Sequence, residues 1–367
     1  MKILYFIKKE FLEISRQREL LFMMIIAPIF QLLVLGYIVT TDVKNVPVGM
    51  IDLSSGKETV KIINRITGSD LFDVKYISKT NRDTVQELRE GNIKAVIVFR
   101  DPVKAGNKIK KYPEVQILMD GVDSNTSQIA AGYFNGIIRN YILEDIKSLG
   151  VSPIVRSKPL IRFNPELRSI NYMGPGIVAL LLTMITVFIT SISLVREKEQ
   201  QTIDTLLISR LNPFEIYIGK ALPMILMGIV NLCIGTLFAV LWFNIPVRGS
   251  LFYLLISVLI YLAAISSYGM IISVFSTSQQ QALFFSLFSM ITFILLSGLL
   301  TPLENIPAGL KWLVMINPLS YLIKIIREIF LKGNGIEQFY GDLLSLGLIT
   351  LVISSISIFN FKKFVSK

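Results

Sequence analysis

The chain has 367 residues, 52% of them apolar and only 17% charged, with a formal net charge of +11. Soluble domains carry about 25% charged residues, and the bases here are scattered rather than gathered in a stripe, which argues against nucleic acid. There is no histidine, and the single Cys233 lies in an apolar run, so imidazole chemistry, His- or Cys-based metal sites and a disulfide framework are all excluded.

A hydrocarbon core about 30 Å thick is crossed by about 20 mostly apolar helical residues. Six stretches approach that length: 20–39, 172–195, 221–243, 251–275, 282–300 and 343–359. The sequence therefore predicts a polytopic α-helical membrane protein with six transmembrane helices and an inserted extracytoplasmic α/β domain.

In chain order, residues 1–19 place Ile3, Leu4, Phe6, Ile7, Phe11, Leu12 and Ile14 at near-helical spacing among charges. An interfacial helix on the cytoplasmic leaflet fits this pattern, and so does a ragged extension of the first span. Glu10, Glu13 and Glu19 in the leader, with no small-x-small site after Val39, predict an uncleaved anchor rather than a signal peptide. Residues 20–40 form the first span.

Residues 41–170 are the one large polar block. Strands are predicted over 46–51, 71–77, 95–99 and 115–119, and helices over 58–67, 84–90 and 124–148, with turns at Gly91-Asn92 and Asp101-Pro102. Strands alternating with helices imply a small sheet covered by helices. Asp120, Asp123 and Ser124 lack calcium-loop spacing and read as a helix N-cap.

Residues 171–360 carry the other five spans, and 361–367 form a short tail. Lys and Arg near span ends mark the cytoplasmic side. Lys2, Lys8, Lys9, Arg16 and Arg18 precede the first span, and Lys362, Lys363 and Lys367 follow the last. Both termini are thus expected in the cytoplasm of a multi-pass cell-membrane protein. The same count puts the stretch between spans two and three inside, and residues 41–170 and 301–342 outside. Within the spans no residue is ionisable, and Gln31 and Asn231 are the most polar side chains. Each is read as a helix–helix hydrogen bonder, and the absence of charge argues against an ion-coupled carrier.

The cytoplasmic insert, 196–219, lies in "REKEQQTIDTLLISRLNPFEIYIGK". Ile203, Leu206, Leu207 and Leu211 share one helical face, Glu197, Glu199 and Asp204 make the early part acidic, and Pro213 ends it. Such an elbow fits a groove on a soluble partner, or it rests on the bilayer. Four acids and four bases over 196–220 make it less basic than surface-lying helices usually are. The outer segment 301–342, by contrast, is apolar but broken by Pro302, Pro307 and Pro318 and charged by Lys324, Arg327 and Glu328. It is read as one or two short re-entrant or interfacial helices.

Two of these stretches carry a resemblance. "REKEQQTIDTLLISRLNPFEIYIGKALP" is similar to the coupling-helix signature of type-2 ATP-binding-cassette exporter permeases. "LSGLLTPLENIPAGLKWLVMINPLSYLIKIIREIFLKG" resembles the region after their fifth span, opening on Gly298 and Pro302 and closing on Arg327. The order of parts agrees along the whole chain. One departure is Gln201, where that family commonly has glycine before Thr202, a change expected to stiffen the elbow. The resemblance implies that Glu197, Glu199, Thr202, Asp204, Leu206, Leu207 and Pro213 meet an ATPase subunit. It further implies a second copy of the chain, or a homologous permease, alongside it in membrane lipid. Gly56-Lys57 and Gly219-Lys220 lack the spacing of a phosphate-binding loop. No cofactor is then expected on this chain, and ATP and Mg would be used by the partner. An ion-coupled carrier, or a receptor or scaffold without transport, is the alternative.

Overall fold

The computed structural model describes residues 2–16, 18–38, 46–54, 56–69, 71–79, 84, 86–88, 90, 92–101, 104–105, 108–109, 113–119, 124–148, 163, 168–203, 211–300, 303 and 306–366. In chain order the helices are α1 (Lys2–Arg16), α2 (Arg18–Ile38), α3 (Lys57–Thr67), α4 (Ser124–Ser148), α5 (Ser169–Glu199), α6 (Pro213–Phe243), α7 (Leu251–Phe275), α8 (Gln279–Leu295), α9 (Lys311–Met315), α10 (Pro318–Arg327) and α11 (Ile336–Val365). The strands are β1 (Val46–Asp52), β2 (Phe72–Ser78), β3 (Ala95–Arg100), β4 (Lys104–Ala105), β5 (Lys108–Ile109) and β6 (Glu114–Met119). The chain divides into two units, Thr41–Leu160 and the rest.

In the smaller unit the four longer strands form a sheet ordered β2-β1-β3-β6. β1 runs parallel to β2 and β3, with Val48 opposite both Val74 and Ala95, and β3 runs antiparallel to β6 with Ile97 opposite Ile117. β1 and β3 are buried along most of their length, as central strands flanked by crossover helices must be. One face packs Val48, Met50 and Ile97 against Ile62, Ile63 and Ile66 of α3 and Phe134 of α4. Asp120 and Asp123, read as a cap for α4, lie outside the described residues.

The larger unit is a helix bundle. Four of its helices, α5, α6, α7 and α11, are long and apolar enough to cross a membrane, and shorter apolar helical stretches run over Ile25–Tyr37 and Gln279–Leu295. α5 is the hub: α6, α7, α8, α10 and α2 all pack on it, and α7 also packs on α11. In lipid, helix association rests on close packing and interhelical hydrogen bonds rather than on hydrophobic expulsion. Both are present. The Leu262 side chain occupies the space a Cβ on Gly228 would need. Hydroxyls pair across helices, with Ser286 donating to Ser191 (2.8 Å), Tyr217 to Ser267 (2.8 Å) and Thr183 joined to Tyr261. Asn231 differs from its sequence reading: its amide donates to Met227 O of its own helix at 3.2 Å, and its Oδ1 has no partner among the described residues.

The segment after α8 breaks as its prolines dictate. Pro307 precedes a 3-10 turn over Ala308–Leu310, and α9 follows. Asn317 caps α10 by accepting from the Leu319 N–H at 3.0 Å, and Pro318 takes the first helical position, where its missing N–H costs nothing. α10 is short and carries two bases, yet Leu319, Leu322, Ile323, Ile325 and Ile326 are fully enclosed by protein. That is the condition under which broken helix survives at membrane depth. A π-helical turn over Glu328–Lys332 ends at Gly333 with φ +68, and α11 already begins at Ile336, earlier than residue 342 where the sequence reading ended the outer segment.

Candidate functional site

The charged stretch 196–220 is divided between two helices. Sequence spacing put Glu197 and Glu199 in the first turn of a coupling helix, but α5 runs on to Glu199, so both acids belong to its last turn. Carboxylates at a helix C-terminus oppose the macrodipole and need compensation from elsewhere. α5 closes with Gln201 N–H donating to Lys198 O (3.2 Å) and Thr202 N–H to Glu197 O (3.0 Å), the Schellman pattern. Its left-handed residue is Gln201, at φ +56, the same position where the resembled family commonly has glycine. Asp204, Leu206 and Leu207 lie outside the described residues. Ile203 and Leu211, on either side of them, pack against a core of Leu194, Ile216, Tyr217, Met270 and Phe361. The chain re-enters helix at α6 through a capping box: the Asn212 N–H donates to Glu215 Oε2 at 2.8 Å, and Pro213 is the first helical residue.

The compensation for Glu197 comes from residues the sequence reading left unassigned. Lys220 Nζ, 1% exposed, lies 3.0 Å from Glu197 Oε1 and 3.3 Å from Glu10 Oε1. Lys9 bridges the same two acids from the rim, 3.0 Å from Glu10 and 3.3 Å from Glu197, and also reaches Glu13 at 3.0 Å. Partial burial pulls the Lys9 pKa down, but Glu10, Glu13 and Glu197 outweigh it and hold the ammonium above the ordinary lysine range. The cluster fastens α1 to the end of α5 and the start of α6. Gly219 lets it close, because the Phe6 ring of α1 occupies the place of a Cβ there, 2.2 Å from its ideal position. Glu10 was detectable in sequence: with Phe6 and Ile14 it lies on one helical stripe, and an acid on a buried stripe demands a cation. Glu199 turns the other way and accepts from the Gln279 N–H at 2.8 Å.

At the opposite end, Gly298 adopts φ +77, and its carbonyl accepts from Arg327 Nη1 at 3.2 Å. Arg327 Nε donates to Tyr172 O at 3.2 Å, and its guanidinium stacks on the Tyr172 ring at 3.8 Å. Gly298 and Arg327, 29 residues apart, are thus brought together at the start of α5. Pro307 and Pro318 begin their helices nearby in sequence, and Pro302 lies outside the described residues. Among the described residues no group of three acidic or cysteine side chains gathers to hold a metal ion.

The profile of the family described as "ABC-2 family transporter protein" matches residues 18–359. The chain belongs to this family. Proteins named as permeases are among its similar relatives. The probable multidrug ABC transporter permease YbhR of Escherichia coli K12 is 29% identical over 97% of both chains. The probable multidrug ABC transporter permease YbhS of the same organism is 25% identical over 89% of this chain and 87% of its own. The ABC transporter G family member 20 of Dictyostelium discoideum is 23% identical, over 90% of this chain and 46% of its own. The family and the apolar helices of the larger unit agree on a multi-pass membrane protein.

Proposed function

We propose that this chain is the transmembrane permease subunit of an ATP-driven exporter. A separate ATPase subunit binds ATP and Mg and docks on the insert, and a second copy or a homologous permease completes the pathway. In this reading α2, α5, α6, α7, α8 and α11 are six spans, the termini and the insert are cytoplasmic, and residues 41–170 are extracytoplasmic. The cargo is amphipathic, in keeping with relatives named as probable multidrug permeases and with apolar stretches, 20–39, 172–195, 221–243, 251–275, 282–300 and 343–359, that carry no fixed charge.

The observation that carries the reading is the buried junction of Glu10, Glu197 and Lys220. It joins the N-terminal helix to both helices that leave the insert, so a push on 203–211 is received by a rigid corner and not by a loop. An ATPase drives the chain outward-open only if it contacts the two states differently, and the stretch 203–211, with Ile203, Leu206, Leu207 and Leu211 at one-face spacing beside Asp204, offers such a contact. Asp204→Lys and Leu207→Asp are expected to abolish copurification with the ATPase while leaving membrane insertion intact. Copurification and export at the parental level in both variants would overturn the docking role. The carrier alternative lacks a charged side chain within those apolar stretches, and no observation favours a receptor.

A further inference from the structure

Lys198 and Glu199 are consecutive and opposite in charge, and they grip opposite ends of two successive helices. Lys198 Nζ donates to the carbonyls of Ser273 (2.9 Å), Val274 (2.8 Å) and Ser276 (2.9 Å). These belong to the C-terminal end of α7, where carbonyls lack helical donors and the macrodipole is negative. Glu199 accepts from the backbone N–H of Gln279 at 2.8 Å and from its side-chain amide, at the first residue of α8, where the dipole is positive. One turn earlier, Ser273 Oγ accepts from the N–H groups of Leu194 (3.1 Å) and Val195 (3.3 Å). Lys198 also lies 4.6 Å over the Phe364 ring of α11.

Elsewhere α8 is fastened at Ser286 to Ser191, at Ser289 to Tyr268 and at the Phe293 carbonyl to Asn317, all about two turns or more beyond Gln279. Ala282, Ser286 and Met290 are its buried residues, and Phe284, Phe285, Phe288 and Ile291 face outward. The turn at 276–278 therefore takes its position from the last turn of α5. Both side chains bind backbone groups, so apart from the Gln279 amide the grip does not depend on which side chains α7 and α8 present.

We propose that Lys198 and Glu199 form a two-residue clip that makes the α7–α8 turn move as one body with the end of α5. A displacement of the insert is then delivered to the second helical hairpin as well as to α5 and α6. The source of the displacement rests on the exporter reading; the clip itself does not.

The test uses the full chain in lipid nanodiscs with Cys233→Ser, spin labels at Gln200 and Thr277, and hydrogen exchange read at Gln279. Without any ATPase, the parent is expected to give a narrow 200–277 distance distribution. Lys198→Met with Glu199→Ala should broaden it and raise exchange at Gln279 about tenfold or more, the loss expected for a hydrogen bond to a charged group. Lys198→Arg with Glu199→Gln, which keeps a donor and an acceptor, should stay close to the parent and guards against misfolding. Unchanged distance and exchange in the Met/Ala variant overturns the clip, whatever the ATPase does. In the complex with the ATPase, ATP should shift both labels in the parent but only the Gln200 label in the Met/Ala variant, each measured against a label on α6. A parent insert that ignores ATP would instead defeat the exporter reading, leaving the nucleotide-free result to decide the clip.

Discussion

Lys220 is an ammonium group almost wholly withdrawn from solvent, held by two carboxylates from helices far apart in sequence. Removing one member of such a set leaves the others charged and buried, at a cost of about 3–5 kcal/mol. Lys220→Met should therefore release α1, read as new protease cleavage within Lys2–Arg16 and a lowered melting temperature in detergent; unaltered cleavage would show that the cluster does not fasten the helix. Gln201 offers the opposite experiment. A non-glycine residue in the left-handed region costs roughly 1–2 kcal/mol, so Gln201→Gly should raise the melting temperature and Gln201→Val, β-branched and ill-suited to positive φ, should lower it. The resemblance marked position 201 as unusual, and the Schellman closure supplies the physical reason.

Elements differ in how far local pattern determines them. The helix predicted over 124–148 occupies those residues, and the strands lie within a residue or so of their predicted bounds, because alternation and turn residues are written into each segment. The boundary between α5 and the insert was misplaced. The polar run at 196–199 reads as the end of an apolar helix, whereas its partners Lys9 and Gln279 lie 188 and 80 residues away and no local rule reveals them. α1 shows the same limit: its amphipathic spacing is legible, but the face that meets α6 is settled by Gly219 and Lys220. Gly219→Leu should push Phe6 off α6 and expose the same protease sites as Lys220→Met. In the smaller unit, Glu58 accepts from the Tyr141 hydroxyl and from Lys61, and these hold its carboxyl below the usual range. A depressed carboxylate pKa contributes stability above its unfolded value and loses it as pH falls through the folded one. Protection of Ser124–Ser148 from hydrogen exchange, taken relative to the intrinsic rate at each pH, should thus fall on acidification, with a smaller fall in Tyr141→Phe. An identical acid profile in that variant would remove Tyr141 from the account.

The whole molecule divides into a helix bundle and a separate α/β unit with its own core. Under the exporter reading, deleting residues 46–165 should leave ATPase copurification intact and change export; loss of assembly would make the smaller unit a structural brace instead. The composition made membrane residence legible from the outset, and the family model agrees over 18–359. What composition left unmarked is how the bundle's charged end is wired, since a buried ion pair is a relation between distant residues and not a property of either.

That relation also sets an order of events at the ribosome. Glu10 meets Lys220 across 210 residues of chain, which at about 5–20 residues per second is on the order of ten to forty seconds of synthesis. Through that interval α1 carries an acid paired with Lys9 of its own helix but not yet with the buried Lys220, so it docks onto its own bundle only after α6 has been translated. Stalled nascent chains ending before residue 220 should leave α1 open to protease, and chains extending past α6 should close it.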